Sequence, residues 1–542
     1  MPKFMKARFS LSPSYLLWGV SAFLLVTANV QFFKQTVAVY EIEQYLPFLI
    51  SQAVILLCAI MLFATIFCFF LPTRFVAALF LLIGAIVSYY SDNLGIVIDT
   101  EMIRNILATD TNEMADLLNF GLITRVALFG ILPTIIIFLI PIKPSSLLVR
   151  ERRLAVTAVV AVLVALICVA PFSNAYASFL REHKPLRYFT NPTHAIYSVI
   201  KLAIDTSASA VDTTFKPRVK SAEISPEDES HELVIVVIGE AARADHFGVN
   251  GYDRQTTPKL AARDDIISFS NMQSCGTSTA VSLPCMFSLD NRKDFAINQA
   301  DYTENTVDVL VKAGVSVLWR DNNSGSQGVA NRITYERFKD PSKNSQCDEE
   351  ECRDIGMLEG LDQYIAQQDG DILIVLHQIG SHGPAYFKRY PSEYAVFTPD
   401  CKSVELGTCA DSEIINAYDN TILYTDNFLD AIITFLDGKQ DRYETSMIYL
   451  SDHGESLGEM GVYLHGMPYF VAPAAQTHVP FIVWAGDSSD IDRSRLQAII
   501  DQPLSHDDFS KILLQMFEII IDDKQVANGM NLLPMKPETY VH

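Results

Sequence analysis

The stretch LVIVVIGE, residues 233–240, decides the fold. A strand half-exposed to water alternates apolar and polar residues, whereas this one is continuously apolar and mostly β-branched until Gly239 and Glu240. Such a run reads as a strand buried on both faces. Similar runs recur as VSVLWR (315–320), DILIVLHQ (371–378), SMIYLSD (446–452) and VPFIVWA (479–485), with helical patterns between them, notably over 412–436. The pattern predicts an α/β domain with a mostly parallel sheet covered on both sides. In such sheets ligands gather beyond the C-terminal strand ends.

Upstream the chain changes character. Near-continuous apolar runs occupy about 12–33, 48–71, 74–91, 123–142 and 155–175, and none recurs after residue 180. Each is about 20 residues long, enough to cross roughly 30 Å of hydrocarbon. The first is too long for a signal-peptide core and lacks a small-x-small exit before Lys34, so it is expected to stay as a membrane helix. Basic residues Lys3, Lys6, Arg8, Arg74, Lys143, Arg150, Arg152 and Arg153 flank one side of these runs, while the other connections are acidic. The positive-inside rule then puts the N-terminus in the cytoplasm and, after five crossings, the C-terminal domain outside. The expected division is a transmembrane domain over 1–176, a bridging segment and linker over 177–230, and a soluble domain over 231–542. Within the external connection 92–122, Met102, Ile106 and Leu107 share a helical side suited to the membrane surface. The charged stretch 217–232 lacks periodicity and reads as linker.

Charge excludes one class of partner. Residues 1–176 carry a net +2 and the remainder −24, within a total of −22. Nucleic acid is not expected on so acidic a surface. Of nine cysteines, Cys58, Cys68 and Cys168 lie in apolar helices. The other six fall in close pairs, Cys275/Cys285, Cys347/Cys352 and Cys401/Cys409, all in the part expected outside, where disulfides persist. Pairing of neighbours is one of 15 connectivities and the one this spacing favours.

The unusual polar residues lie where the sheet would collect a ligand. Glu240 ends the first strand, Asp452-His453 the 446–452 strand, and the strand from 371 ends in HQIGSHGP, carrying His377 and His382, while YLHG supplies His465. Carboxylate and imidazole after buried strands suit zinc, with Asp452, His453 and Glu240 as ligands and Thr279 available for a fourth position. Taken singly, SDHGE also reads as a capped turn and Glu240 as a salt-bridging strand end. The loop CGTSTAVSLPC (275–285) is crowded with hydroxyls; a threonine there needs a base or a metal to become a nucleophile. A helix starting in this loop would aim backbone N–H groups at a phosphate.

GEAARADH, SCGTSTAVSLPC, HGPAYFKRY and SDHGESLGEMGVYLHG closely resemble motifs of the membrane-bound phosphoethanolamine transferases of Gram-negative bacteria, which include the lipid A modifying and mobile colistin-resistance enzymes. The resemblance extends over essentially the whole chain and implies an alkaline phosphatase/sulfatase-type domain behind five transmembrane helices in the inner membrane, facing the periplasm. It further implies Thr279 as the nucleophile, a zinc held by Glu240, Thr279, Asp452 and His453, and His382 and His465 beside a second, weaker metal and the headgroup. Asn105, Thr109, Glu113, Ser324 and Gln327 match substrate-binding positions. Two residues depart from the family pattern: Ala241 stands where Thr is common, and Gln327 where Lys is common beside the phosphate. Lys343 or Arg320 could replace that cation.

The implied reaction moves phosphoethanolamine from phosphatidylethanolamine to Thr279 and on to a phosphate of lipid A. It lowers negative surface charge and so confers polymyxin resistance. A monomer working on membrane lipids, with no cofactor beyond zinc, is expected. The alternatives are transfer to core sugar or periplasmic glucan, or glycerol-phosphate transfer. A sulfatase lacks support because Thr279 is not in a Cys/Ser-x-Pro-x-Arg setting, and a non-enzymatic receptor would leave Glu240, Thr279, Asp452 and His453 without a purpose.

Overall fold

The computed structural model describes residues 10–109, 114, 116–144, 146–208, 213–228, 230–348, 351–522 and 532–536. The chain forms two compact units, one of residues 1–103 and 118–204, the other of 104–117 and 205–542.

In the first unit the apolar runs become Ile42–Phe70, Thr73–Leu94, Phe120–Leu139 and Leu147–Ala177, each long and apolar enough to cross a membrane. The first run instead forms two helices, Pro13–Thr27 and Val30–Val39, bent by 58°, which count as a fifth span if taken together. Asn29 explains the break. Its side-chain amide donates to the Leu24 carbonyl at 3.0 Å and the Asn191 carbonyl at 2.9 Å, and its Oδ1 accepts from the Asn191 N–H at 2.8 Å. A side chain inserted into the helical ladder is a recognised cause of a kink. Leu17, Leu24, Ile60, Met61 and Phe80 are buried between helices, whereas Phe70, Leu139, Val159 and Ile167 are exposed. An apolar exterior of this kind suits lipid. Cys58, Cys68 and Cys168 are unpaired, as their apolar surroundings suggest.

In the second unit eight strands form one sheet. They are β1 (Glu232–Gly239), β2 (Ile266–Gln273), β3 (Ser316–Asp321), β4 (Thr334–Arg337), β5 (Ile372–His377), β6 (Glu444–Ser451), β7 (His478–Ala485) and β8 (Leu504–Ser505). Their order is β8-β2-β7-β6-β1-β5-β3-β4. Only β7 runs against the rest, pairing antiparallel with β2 and β6. β1 sits between β5 and β6, parallel to both, and is buried along its whole length. Val234, Val236 and Ile238 point into a core with Phe269, Trp319, Phe481, Phe509 and Leu513. The 27-residue helix Asp411–Asp437 supplies Tyr418, Phe428, Ile432 and Leu436, all fully buried.

Three strands escape a search for continuous apolar runs. β2 has alternating burial, β4 is an exposed edge, and β8 has only two residues. The stretch read as linker also contains a strand, Ala222–Ile224, paired antiparallel with Ile519–Ile521. Three residues are too few for periodicity to register. The expected helix in 92–122 is present as Thr100–Ala108, but Met102 is buried while Ile106 and Leu107 are exposed. Residues 104–117 belong to the second unit, tied there by Arg104 Nη2 to Asn298 Oδ1 at 2.7 Å and Lys388 Nζ to Asp116 Oδ1 at 2.6 Å.

Candidate functional site

The C-terminal ends of the central strands bring the acidic and imidazole side chains together. Glu240 follows β1 and Asp452-His453 follow β6, whose last residues pair in register as Gly239 and Ser451. Immediately after Glu240 the backbone turns through Ala241, with φ +55° and its side chain fully buried. A β-branched threonine would meet this left-handed conformation at higher cost than alanine does. Gly380 packs against the turn: a Cβ there would lie 3.0 Å from the Glu240 carbonyl oxygen.

Thr279 is the first residue of the helix Thr279–Met286. Its hydroxyl donates to Glu240 Oε2 at 2.9 Å and lies 3.3 Å from His453 Nε2. That nitrogen is 3.3 Å from Glu240 Oε1 and 3.5 Å from Asp452 Oδ2. The other polar atoms of the group are spent. His453 Nδ1 lies 2.8 Å from the Gly454 carbonyl, which can only accept, so Nδ1 carries the proton and Nε2 faces the carboxylates. Asp452 Oδ1 accepts from the His453 and Ala241 backbone N–H groups at 2.7 and 3.3 Å. Glu240 Oε1 and Asp452 Oδ2 are left buried without hydrogen-bond partners among the described residues.

Two orphaned carboxylate oxygens converging on an imidazole nitrogen make a cation well. Glu240, Asp452 and His453 each offer a ligand atom, all within 4.8 Å of one another. Electrostatics agree. Burial alone would lower the His453 pKa, yet Asp452 and Glu240 raise it to about 9. Burial pushes Glu240 up, but His453 above all, with His382 and His465, holds it below the ordinary range. Asp452 is raised by burial and then by Glu240.

His382 and His465 flank this centre. The His453 and His465 rings lie 4.3 Å apart and those of His382 and His465 5.9 Å. Glu240, His382 and His465 form a second possible metal cluster. His465 Nδ1 is 2.8 Å from Glu455 Oε2, whose partner oxygen accepts from Tyr386 at 2.6 Å. Asn323, next to Ser324, donates to Glu240 Oε2 at 2.8 Å. Ser324 N–H bonds Asn323 Oδ1 at 2.7 Å, and Gln327 Nε2, among the described residues, reaches Ser324 at 3.4 and 3.5 Å. Thr109 spends its hydroxyl on the Asn105 carbonyl at 2.8 Å. Glu113 lies outside the described residues. Arg320 does not replace the missing family lysine: it is buried on Glu336 and the Met357 and Glu359 carbonyls. The Lys343 side chain is exposed to solvent.

Sequence reasoning missed Asn323, Glu455 and His506 as parts of this site. His506 opens the helix His506–Met516 and is fully enclosed. Burial drives its pKa to about 3, so it is neutral, accepting from Cys275 N–H at 3.1 Å and donating from Nε2 to the Ser451 carbonyl at 3.1 Å. It thereby joins the loop that carries Thr279 to the end of β6.

The disulfides are Cys275–Cys285, Cys347–Cys352 and Cys401–Cys409. The first joins positions ten apart in sequence, on either side of Thr279. Replacing both of its cysteines with alanine is expected to cost about 2–4 kcal/mol in chemical denaturation. Turnover should fall further than after the same change at Cys401 and Cys409, because only the first bridge frames Thr279.

Comparison with known proteins gives this geometry its context. Residues 232–519 match the sulfatase family profile, and residues 56–206 the profile described as phosphoethanolamine transferase EptA/EptB. Phosphatidylethanolamine transferase Mcr-1 of Escherichia coli is 42% identical over 527 residues, covering 95% of this chain and 96% of the relative. The chain belongs to the phosphoethanolamine transferase family.

Phosphoethanolamine transferase EptA of Salmonella typhimurium is 37% identical, over 86% of this chain and 85% of its own. The solved integral-membrane lipooligosaccharide phosphoethanolamine transferase A of Neisseria meningitidis superposes with a TM-score of 0.91 at 32% identity, covering 98% of this chain and all of that one. This phosphoethanolamine transferase is accordingly a multi-pass inner-membrane protein with a periplasmic α/β catalytic domain.

Proposed function

We propose that this chain moves phosphoethanolamine from phosphatidylethanolamine to a phosphate of lipid A through a covalent intermediate on Thr279, with zinc held by Glu240, Thr279, Asp452 and His453. The carrying observation is the Thr279 hydroxyl, 2.9 Å from Glu240 Oε2 and 3.3 Å from His453 Nε2, beside two unpartnered carboxylate oxygens. Nitrogen and oxygen donors with no thiolate fit zinc. When bound there, zinc would lower the pKa of a coordinated oxygen and stabilise charge on the phosphoryl group.

In the first half, Thr279 Oγ1 forms a bond to phosphorus as the bond to the diacylglycerol oxygen breaks. The hydroxyl proton leaves Oγ1 and a proton reaches the departing alkoxide. In the second, a lipid A phosphate oxygen attacks phosphorus, the Oγ1–P bond breaks, and Oγ1 regains a proton to restore the Thr279 hydroxyl. His382 and His465 are the proposed proton carriers, since both border the centre and Glu455 fixes the His465 ring. Asn323 holds Glu240 in place; Ser324 and Gln327 lie next along that loop, and Asn105, Thr109 and Glu113 are proposed headgroup contacts. Gln327 can donate a hydrogen bond but supplies no charge. The chain is proposed to act as a monomer.

Lipid A extracted from a Gram-negative strain expressing the protein should carry added phosphoethanolamine by mass spectrometry, and the strain should become polymyxin-resistant. Expression of Thr279→Ala should do neither. Unmodified lipid A alongside modified core sugar or periplasmic glucan would reassign the acceptor.

A further inference from the structure

The opposite edge of the sheet holds a second concentration of carboxylates that the transfer reaction does not use. Glu232 is the first residue of β1, so its carboxylate is separated from Glu240 by the length of the strand, roughly 25 Å. Glu232 pairs in register with Glu444 of β6, and its backbone N–H reaches Asp371 Oδ1, just before β5, at 3.4 Å. Three adjacent parallel strands therefore begin with acidic residues side by side. Asp228, in the turn before β1, adds a fourth. Asp228, Glu232 and Asp371 each offer an oxygen, all within 4.8 Å of one another.

Two features separate this group from an ordinary acidic surface. Glu232 is 6% exposed and Asp371 2%, and among the described residues Glu232 Oε2 and Asp371 Oδ2 have no hydrogen-bond donor. Among the described residues, the ion pair that reaches the trio is His231 to Asp371 at 3.1 Å, from an imidazole whose side chain is 58% exposed. Like charges on neighbouring strands repel, and buried carboxylates without partners are costly unless a cation or proton joins them.

We propose that Asp228, Glu232 and Asp371 bind a hard divalent cation, calcium, at the N-terminal edge of the sheet. An all-oxygen set without imidazole or thiolate favours calcium over zinc. The half-exposed Asp228 leaves one side open for water ligands, which calcium's six to eight positions require. The ion would fasten the turn at 225–228 to the bases of β1 and β5. That turn is also tied to the residue just before the strand Ile519–Ile521, through Ser225 N–H to the Glu518 carbonyl at 3.1 Å. Calcium would thus lock the entry to the catalytic domain without touching the transfer site.

The test uses full-length, zinc-loaded protein in detergent, titrated with calcium chloride by calorimetry and followed by thermal unfolding. One calcium should bind with Kd on the order of 10⁻⁴–10⁻³ M, as in extracellular calcium modules, and raise Tm. Asp228→Asn, at a half-exposed position where folding is least at risk, and Asp371→Asn should each weaken binding at least about ten-fold. Glu232→Gln should raise the calcium-free Tm, by removing one of the adjoining charges, and abolish the calcium increment. No binding or Tm response in the wild type at 10 mM calcium, about ten times the weakest Kd of that class, would overturn the proposal. So would a calcium response that persists undiminished in both aspartate variants. Unfolding that responds to pH but not to calcium would likewise overturn it, showing that a shared proton joins the carboxylates.

Discussion

Purified protein given phosphatidylethanolamine and no acceptor should gain one phosphoethanolamine on the peptide containing Thr279, and Thr279→Ala should gain none. Three hydroxyls compete in this loop, and their surroundings separate them. Thr277 donates to the Met467 carbonyl at 2.7 Å, so its proton is engaged by a group that cannot act as a base. Ser278 Oγ is buried without a hydrogen-bond partner among the described residues. Thr279 alone of the three meets Glu240 and His453. Intact-mass and fragmentation analysis should therefore find the adduct in Thr277→Ala and Ser278→Ala. Turnover of Thr279→Ala should drop about 10⁴-fold or more, the scale on which loss of an enzyme nucleophile is felt. Adding lipid A should discharge the adduct. An adduct from phosphatidylglycerol but not phosphatidylethanolamine would indicate glycerol-phosphate transfer. Product formation by Thr279→Ala, with no adduct in the wild type, would mean direct transfer between the two lipids.

What the sequence revealed and what it hid divide along one physical line. β1, β3, β5, β6 and β7 are legible because burial on both faces demands continuous apolar residues, and the site residues follow because the parallel strands among them deliver their ends to one edge. The cysteine pairs are legible because the partners lie ten positions apart or fewer. β4 hides because an exposed edge strand imposes no apolar pattern. The bend at Asn29 depends on Asn191, 162 residues away, and the role of His506 on Cys275, 231 residues away. Such contacts have no local signature. Ala241 is a middle case: the substitution is visible in the sequence, but only the positive φ gives it a physical reason.

Removing the charge of Asp452 and the imidazole of His453 should abolish tight zinc binding, measured by elemental analysis of purified protein. Asp452→Asn keeps the shape of the side chain, and its Oδ1 can still accept from the His453 N–H, but the unpartnered oxygen Oδ2 loses its charge or becomes an amide nitrogen. His453→Ala removes Nε2, the atom facing both carboxylates. Each single change should lower zinc affinity more than about 100-fold, beyond the 10–100-fold typical of residues that only orient a ligand. Asn323→Ala supplies that milder comparison. It removes the 2.8 Å bond to Glu240 Oε2 while leaving all four proposed ligands, so zinc should still bind at saturation with affinity reduced by about 10–100-fold. Glu455→Gln should separate metal from proton transfer, since it loosens His465 without altering Glu240, Asp452 or His453. Its zinc content should stay near one while turnover and its pH profile change. The ordering matters more than any single value, because a general loss of stability would depress all four variants together. A folded Asp452→Asn/His453→Ala protein that retained one zinc would place the metal elsewhere. The two unpartnered oxygens beside Thr279 would then need a different partner.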